Sequence, residues 1–283
     1  MSPPWRRVPH LSTWRKLALH AWGAPSDPTV YSTLSIDVSE AVPFLDTLRR
    51  DSGVRVTFTH LVVKAIAEAL RRNPNANAII RRRWIYARES VDVFVQVVSE
   101  GGDDLGGVKI SRADEKTLLE IASEVAARAE RVRAHRDPEI ETTKRSMDRL
   151  PNWLLGPVMK ATELATYGLG LDLSRFGLST DPFGSVMVSN IGTFGIDSAL
   201  APLVPFSHCP IVLLVGTVQP RPVVIGDDVV ARPVLIVGAT FDHRLMDGAL
   251  AGRMSTVFCD LLQHPQKYLG VAPEPIIRES RSS

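Results

Sequence analysis

The hydrophobic and polar residues of this chain follow two periods, the two-residue period of a strand and the 3.6-residue period of a helix. In the N-terminal part they predict a helix over residues 12–22, a strand over 30–38 and a helix over 41–50. A third helix begins at Thr57 or Thr59 and ends at Asn73, because Pro74 disfavours helical backbone in the residue before it. Its broad apolar face predicts that this helix belongs to the core.

Strand patterns dominate the rest of the chain, with one long amphipathic helix among them and another at the end. The predicted strands cover residues 79–87, 91–98, 108–110, 186–189, 211–218 and 233–241, and the helices cover 116–133 and 247 or 248 to 263. Gly226-Asp227 is expected at the tip of a hairpin between the last two strands. Interleaved strands and helices are typical of the α/β class.

Residues 138–182 interrupt this pattern and are predicted to form an inserted helical segment. The apolar residues of its amphipathic part include Trp153, Leu154, Leu155, Met159 and Tyr167. Such a segment can pack on the core, line an acyl-chain tunnel or touch a membrane surface. Because amphipathic helices mostly pack internally, we favour packing on the core, and the charges of Lys160 and Glu163 argue against a membrane span.

Length and composition limit the classes of protein to be considered. Of the 283 residues, 45% are hydrophobic and 23% are charged, which suits a folded chain with a sizeable core. One domain over residues 1–283 is our prediction. The 33 basic and 31 acidic residues nearly cancel, so no overall field favours nucleic acid, and the basic triplet at 81–83 is expected to face solvent.

The cysteines, the histidines and the N-terminus bear on metals and on the compartment. Cys209 and Cys259 do not form a CxxC pair, which disfavours both a disulfide framework and a zinc site. The histidines lack the spacing of a metal-binding motif, so no metal is expected. The N-terminus has no apolar run of signal-peptide length, and we expect a cytoplasmic protein.

His243 is the strongest candidate for chemistry. It follows a strand with a buried pattern and precedes a helix, and Asp242, Arg244 and Asp247 stand close to it in sequence. A thiol is mostly protonated at neutral pH, so its attack on an acyl carbon needs a base, and neutral imidazole suits that task. An isolated histidine at such a position is more often a structural hydrogen bonder, so the surrounding residues decide the interpretation.

Four ordered segments resemble the catalytic domain of 2-oxoacid dehydrogenase E2 acyltransferases, which share an HxxxDG motif with chloramphenicol acetyltransferases. The segments are residues 12–18, 64–77, 188–197 and 241–248. The last of them carries DHRxxDG, and the third resembles SNxGxFG. The resemblance covers residues 8–134 and 183–270 and leaves the insert without a counterpart.

This resemblance implies one α/β domain of the chloramphenicol acetyltransferase type, in which helices flank a mixed sheet. It implies a homotrimer or a larger assembly of trimers. The implied activity is acyl transfer between coenzyme A and a dihydrolipoyl thiol or another acceptor. Acyl-CoA is then a substrate, the lipoyl group is supplied in trans, and lipoyl-bearing proteins or 2-oxoacid dehydrogenase components are the expected partners.

The resemblance also assigns roles to individual residues. His243 is the general base, Ser189 stabilises the oxyanion from a neighbouring subunit, and Asp247 joins them as a catalytic candidate. Asp247 can instead act architecturally, as the cap of the following helix or as the partner of Arg15. The residues expected to support the site are Arg15, Asn190, Asp242, Arg244 and Gly248.

Two departures from the family pattern leave the substrate pocket open. Residues 104–109 stand where the family has GLxxPV, and residues 206–210 stand where it has a proline-rich turn. Two alternative functions follow: a catalytically silent scaffold with the same fold, and a lipid-associated acyltransferase whose insert binds an acyl chain or a membrane. The presence of both His243 and Ser189 argues against the silent scaffold.

Overall fold

The computed structural model describes residues 27–82, 84–98, 105–133, 151–169 and 181–270. Its strands are β1 (Thr29–Asp37), β2 (Ala78–Arg81), β3 (Trp84–Ala87), β4 (Val93–Val98), β5 (Leu105–Ile110), β6 (Val186–Asn190), β7 (Ile211–Ile225) and β8 (Asp228–Asp242). Its α-helices are α1 (Ala41–Ser52), α2 (Phe58–Arg72), α3 (Leu118–Arg133), α4 (Asn152–Glu163), α5 (Gly248–Gln263) and α6 (Pro265–Leu269). A π-helical turn, Leu164–Gly168, extends α4.

Six of the strands form one mixed sheet, and a mixed sheet is what the family resemblance implies. The spatial order is β1-β8-β7-β6-β4-β5, with β6 parallel to both β7 and β4 and the other neighbouring pairs antiparallel. β7 and β8 form a long hairpin whose tip is Gly226-Asp227, and Gly226 takes a φ of +61° that suits a residue without a Cβ. Strands β2 and β3 form a separate two-stranded hairpin.

Alternate residues of the central strands enter two different hydrophobic clusters, so both faces of the sheet are covered. β7 sends Ile211, Leu213 and Val215 into the main core, and Val212 and Leu214 into a second cluster. This is the two-residue period of a strand with both faces buried. The near-continuous apolar run in the sequence therefore reflects a central position in the sheet.

Helix α2 is the centre of the helical layer. Eleven of its 15 residues are buried, and it contacts α5, α3 and strands β6 and β7. Thr57 and His60 form a capping box at its start, in which the backbone N–H of Thr57 donates to Nδ1 of His60 at 3.1 Å. The predicted core role of this helix is confirmed.

A loop between β6 and β7 lies on the second face of the sheet. Two glycines of the sheet make room for it: a Cβ on Gly216 would lie 2.0 Å from the carbonyl oxygen of Asp197, and one on Gly238 would lie 2.0 Å from that of Ala199. No side chain fits at those distances. These glycines thus let the loop contact the sheet through its backbone.

Two of the sequence predictions differ from the structure in their boundaries. The single strand predicted over 79–87 is two strands, because Arg82 turns the chain with a φ of +48°. The predicted strands over 211–218 and 233–241 are longer and continue into the hairpin arm Pro220–Pro233, whose residues are exposed or half-buried. Backbone pairing, rather than burial, extends these strands.

The described part of the insert is the helix α4 with its π-helical turn. Thr166 is buried, and Nε of Arg81 donates to the carbonyl oxygen of Tyr167 at 2.7 Å, so the π-helical turn contacts the rest of the protein. The apolar residues of α4 are half-buried or exposed, with Trp153 76% exposed, so their packing on the core stays a prediction. Within the described ranges, no helix has both the length and the hydropathy needed to cross a bilayer. The predicted helix over 12–22 lies outside the described residues.

The buried His60 should make folding depend on pH. Burial, together with the charges of Arg55 and Arg49, lowers the pKa of His60 to about 4, so the folded protein resists protonation that the unfolded chain accepts below about pH 6.5. Stability should therefore fall as the pH decreases from about 6.5 to about 4, by about 3 kcal/mol from this group.

Urea denaturation of the parent and of His60→Gln, measured between pH 7.5 and pH 4.5, checks this prediction. Glutamine keeps an acceptor for the N–H of Thr57 but has no proton to gain, so the variant should lose less stability over this range. Parallel decreases in the free energy of unfolding for both proteins would contradict it.

Candidate active site

His243 lies directly after β8, at one end of the sheet. The backbone N–H of Asp242 donates to the carbonyl oxygen of Pro210 at 3.0 Å, and that of His243 donates to the carbonyl oxygen of Pro28 at 2.9 Å. The side chain of His243 is exposed and lines a cleft with residues 27–30 and Arg244. Its backbone is thus fixed on both sides while its imidazole remains accessible.

Asp242 and Arg244 hold the turn that follows His243. The carboxylate of Asp242 is buried and accepts the backbone N–H of Arg244 at 2.9 Å, and Nη2 of Arg244 lies 2.6 Å from its other oxygen. The carbonyl oxygen of Asp242 accepts the N–H groups of Leu245 and Met246, and Met246 is buried. Both charged residues predicted to support the site therefore fix its backbone.

Asp247 caps helix α5. Its carboxylate accepts the backbone N–H of Leu250 at 2.8 Å, and its carbonyl oxygen accepts that of Ala251 at 2.9 Å. Gly248 is the first residue of the helix, and a Cβ there would meet no atom within 4 Å. Of the roles considered for Asp247, the structure supports the cap. Arg15, its other proposed partner, lies outside the described residues.

Ser189 and Asn190 lie at the end of β6, beside the start of helix α2. Nδ2 of Asn190 donates to Oγ1 of Thr59 at 2.7 Å, and the backbone N–H of Thr193 donates to Oδ1 of Asn190 at 3.3 Å. Asn190 therefore joins the strand to the helix and to the next turn. The sequence pattern indicates Thr59 only as a helix start. Its contact with Asn190 joins residues 131 positions apart, so no local pattern indicates it.

The sheet register keeps Ser189 far from His243 within one chain. Ser189 is paired with Leu214, which is paired with Gly238, and Gly238 comes five residues before His243. At typical spacings this separates the two by about 16 Å along the strands and about 10 Å across them. One chain cannot bring the two side chains into contact.

His208, a second histidine at the same end of the sheet, contacts the insert. Its Nε2 lies 2.9 Å from Oε1 of Glu163, and its ring stacks on Tyr167 with centroids 4.0 Å apart. Burial lowers the pKa of His208, and the carboxylate of Glu163 opposes that shift. No local pattern of residues indicates this pairing, because it joins residues 45 positions apart.

Comparison with known proteins identifies the family. Residues 7–146 and 182–270 match the model of the 2-oxoacid dehydrogenases acyltransferase (catalytic domain) family. The chain belongs to this family. The segment between the two matches, 147–181, is narrower than the insert predicted over 138–182 and contains the whole of α4.

Relatives with curated names agree with this membership. The chain is 24% identical over 231 residues to the lipoamide acyltransferase component of the branched-chain alpha-keto acid dehydrogenase complex of Bacillus subtilis, covering 80% of this chain and 44% of that protein. It is 24% identical over 269 residues to a mitochondrial dihydrolipoyllysine-residue succinyltransferase of Arabidopsis thaliana, covering 93% of this chain and 49% of that protein. The chain thus spans about half the length of these relatives.

Solved structures confirm the fold. The cubic core of the pyruvate dehydrogenase multienzyme complex is similar with a TM-score of 0.64 and 22% identity, covering 94% of this chain and 99% of that one. A probable dihydrolipoamide acetyltransferase of Listeria monocytogenes is similar with a TM-score of 0.61 and 19% identity, covering 92% of this chain and 94% of that one. The mixed sheet flanked by helices is therefore the architecture of acyltransferase cores.

The capping role of Asp247 can be tested by stability. Replacing it with alanine leaves the N–H of Leu250 without its acceptor and should lower the free energy of unfolding by about 1 kcal/mol, whereas Asp247→Asn should retain most of the stability. Urea denaturation of the two variants and the parent measures the difference. Equal losses in both variants would show that the negative charge, and not the cap, is what matters.

Proposed function

We propose that this protein transfers acyl groups between coenzyme A and a thiol acceptor, with the dihydrolipoyl group as the first candidate. The observation that carries the proposal is His243, an accessible imidazole on a fixed backbone within a chain of the acyltransferase family. The relatives in Bacillus and Arabidopsis are named as lipoamide and dihydrolipoyllysine acyltransferases. The silent scaffold becomes the preferred function only if no acyl-CoA is turned over.

In the proposed mechanism the neutral imidazole of His243 removes the proton from the attacking thiol. The thiolate adds to the thioester carbonyl carbon and forms a tetrahedral intermediate with a negative oxygen. The hydroxyl of Ser189 donates a hydrogen bond to that oxygen. When the intermediate collapses, the carbon–sulfur bond of the original thioester breaks, and His243 returns its proton to the departing thiolate.

The two catalytic residues must then come from different subunits. The register argument supports this assignment, since it separates Ser189 from His243 within one chain. Asp242, Arg244 and Asp247 support His243, and Asn190 supports Ser189, so each half of the site is held within its own subunit.

We propose a homotrimer, or a larger assembly of trimers, as the state in which the site is complete. The hairpin arm Pro220–Pro233 supports subunit contact, because Val224 and Val229 each expose 69% of their surface and two-stranded ribbons are marginally stable alone. The similarity to the cubic core agrees with an assembly-forming fold.

Coenzyme A acts here as a substrate, and a lipoyl group supplied in trans is the proposed second substrate. Components of 2-oxoacid dehydrogenase complexes are the proposed carriers of that group, because the relatives are named as members of such complexes. We place the reaction in the cytoplasm, where Cys209 and Cys259 would remain the free thiols that the structure has.

Replacing the proposed catalytic residues should abolish most of the activity. Thiol release is measured with a panel of acyl-CoAs and dihydrolipoamide as the acceptor. His243→Ala should lower kcat by about 10²- to 10⁴-fold and Ser189→Ala by about 10²- to 10³-fold. Lys267→Gln, an exposed change away from the cleft, serves as the control. Turnover by the parent that survives in His243→Ala would refute the base assignment.

A mixed-subunit experiment tests the shared site. His243→Ala and Ser189→Ala chains are denatured together, refolded as a mixture and assayed beside each variant refolded alone. Some interfaces in the mixture then combine an intact His243 with an intact Ser189, so activity should return to a sizeable fraction of the parent's. If the parent regains activity after the same refolding, a mixture that is no more active than its components would contradict the shared site.

A further inference from the structure

The helix α4 is apolar on both of its sides. Its inner side carries Leu154, Leu155, Val158 and Met159, which are half-buried. Its outer face, formed by Trp153, Pro157, Lys160 and Leu164, is exposed, with 76% exposure at Trp153 and 60% at Leu164. Large apolar side chains that are exposed together on one face of a helix are normally covered by protein or lipid.

The end of the insert that the structure describes is held by three contacts with the rest of the protein. Glu163 contacts His208, the ring of Tyr167 stacks on that histidine, and Arg81 donates to the carbonyl oxygen of Tyr167. These contacts hold both the last turn of α4 and the π-helical turn that follows it. The outer face remains exposed beside these contacts.

The hairpin β2–β3 lies beside the insert, because Nε of Arg81 donates to the carbonyl oxygen of Tyr167 at 2.7 Å. Its register pairs Arg81 with Trp84. The guanidinium carbon of Arg81 lies over the ring of Tyr86, 5.4 Å from the ring centroid. Arg81, Trp84 and Tyr86 thus share the side of the hairpin that contacts the insert. Trp84 is 71% exposed and Tyr86 is 46% exposed.

The described charges of this surface are mostly positive. Arg81, Arg82 and Lys160 are its cations, and the carboxylate of the helix, Glu163, contacts His208. Exposed tryptophan and tyrosine side chains beside basic residues suit the interface between water and an anionic lipid headgroup layer. A neutral protein partner would match the apolar residues but not the cations.

We propose that the outer face of α4 and the aromatic side of β2–β3 form a binding surface for an anionic phospholipid bilayer. The helix lies in the headgroup plane, with Trp153 and Leu164 entering the apolar boundary and Arg81, Arg82 and Lys160 at the phosphates. The 12 residues of α4 are about 18 Å long, too short for the roughly 30 Å hydrocarbon core, so the helix rests on the membrane. The proposal does not depend on the acyl transfer.

Vesicle flotation of the full chain tests this surface. One set of vesicles is phosphatidylcholine alone, and the other contains phosphatidylserine as well. We expect the parent to float with the anionic vesicles and to remain below with the neutral ones. Trp153→Gln with Leu164→Gln should weaken the partitioning by at least about tenfold, because two apolar contacts are lost.

The charge contribution is tested separately. Arg82→Gln with Lys160→Gln should also weaken partitioning by at least about tenfold, whereas Arg112→Gln with Lys267→Gln, exposed cations on other elements, should leave it unchanged. Circular dichroism confirms that each variant is folded. Increased salt should release the parent from the anionic vesicles.

Three results would overturn the proposal. The first is that the parent protein floats with neither type of vesicle, and the second is that it floats equally with neutral and anionic vesicles. The third is a change of oligomeric state in the Trp153→Gln, Leu164→Gln variant, measured by analytical ultracentrifugation. The last result would make this face a contact between copies. Because thiol release with soluble acyl-CoA is assayed without vesicles, failure of the lipid proposal is distinguishable from failure of the catalytic one.

Discussion

The pairing of β8 between β1 and β7 is the constraint on which the proposed catalytic end of the molecule depends. β8 is paired with β1 from Val234 to Asp242, and with β7 along most of its length. These two ladders bring Pro28 and Pro210 beside the end of β8, where their carbonyl oxygens accept the N–H groups of His243 and Asp242. A histidine at a free strand end would lack this fixed position.

In the proposed mechanism, the same register requires a second chain. Because β6, β7 and β8 are neighbours with fixed pairing, Ser189 cannot move toward His243 without breaking the central ladder of the sheet. Such a break would expose backbone groups in the core at a large cost. In the proposed assembly, an interface between copies makes the contact while each sheet stays intact.

The parts of the chain that depart from the family pattern lie together in space. Gly107, in the first departing segment, leaves room for the ring of Phe94, which packs edge-on against Phe183, and Phe183 packs against Phe206 of the second departing segment. His208 of that second segment contacts Glu163 of the insert. These three segments, which are far apart in sequence, therefore belong to one group of contacting residues.

Some features follow from the sequence alone because their causes are local. The period of apolar residues defined most of the helices and strands, Asp247 had the residue type and position of a helix cap, and the motif around His243 indicated the family. Capping and hydrophobic period depend on neighbours within a turn or two. These interactions leave a direct trace in the order of residues.

Other features were decided by the tertiary structure alone. The distance between Ser189 and His243, the link from Asn190 to Thr59 and the contact of His208 with Glu163 all depend on which strands are neighbours and in which register. The split of the strand predicted over 79–87 depended on one left-handed residue, Arg82. Long-range pairing is selected by the packing of the whole core, so no local pattern of residues encodes it.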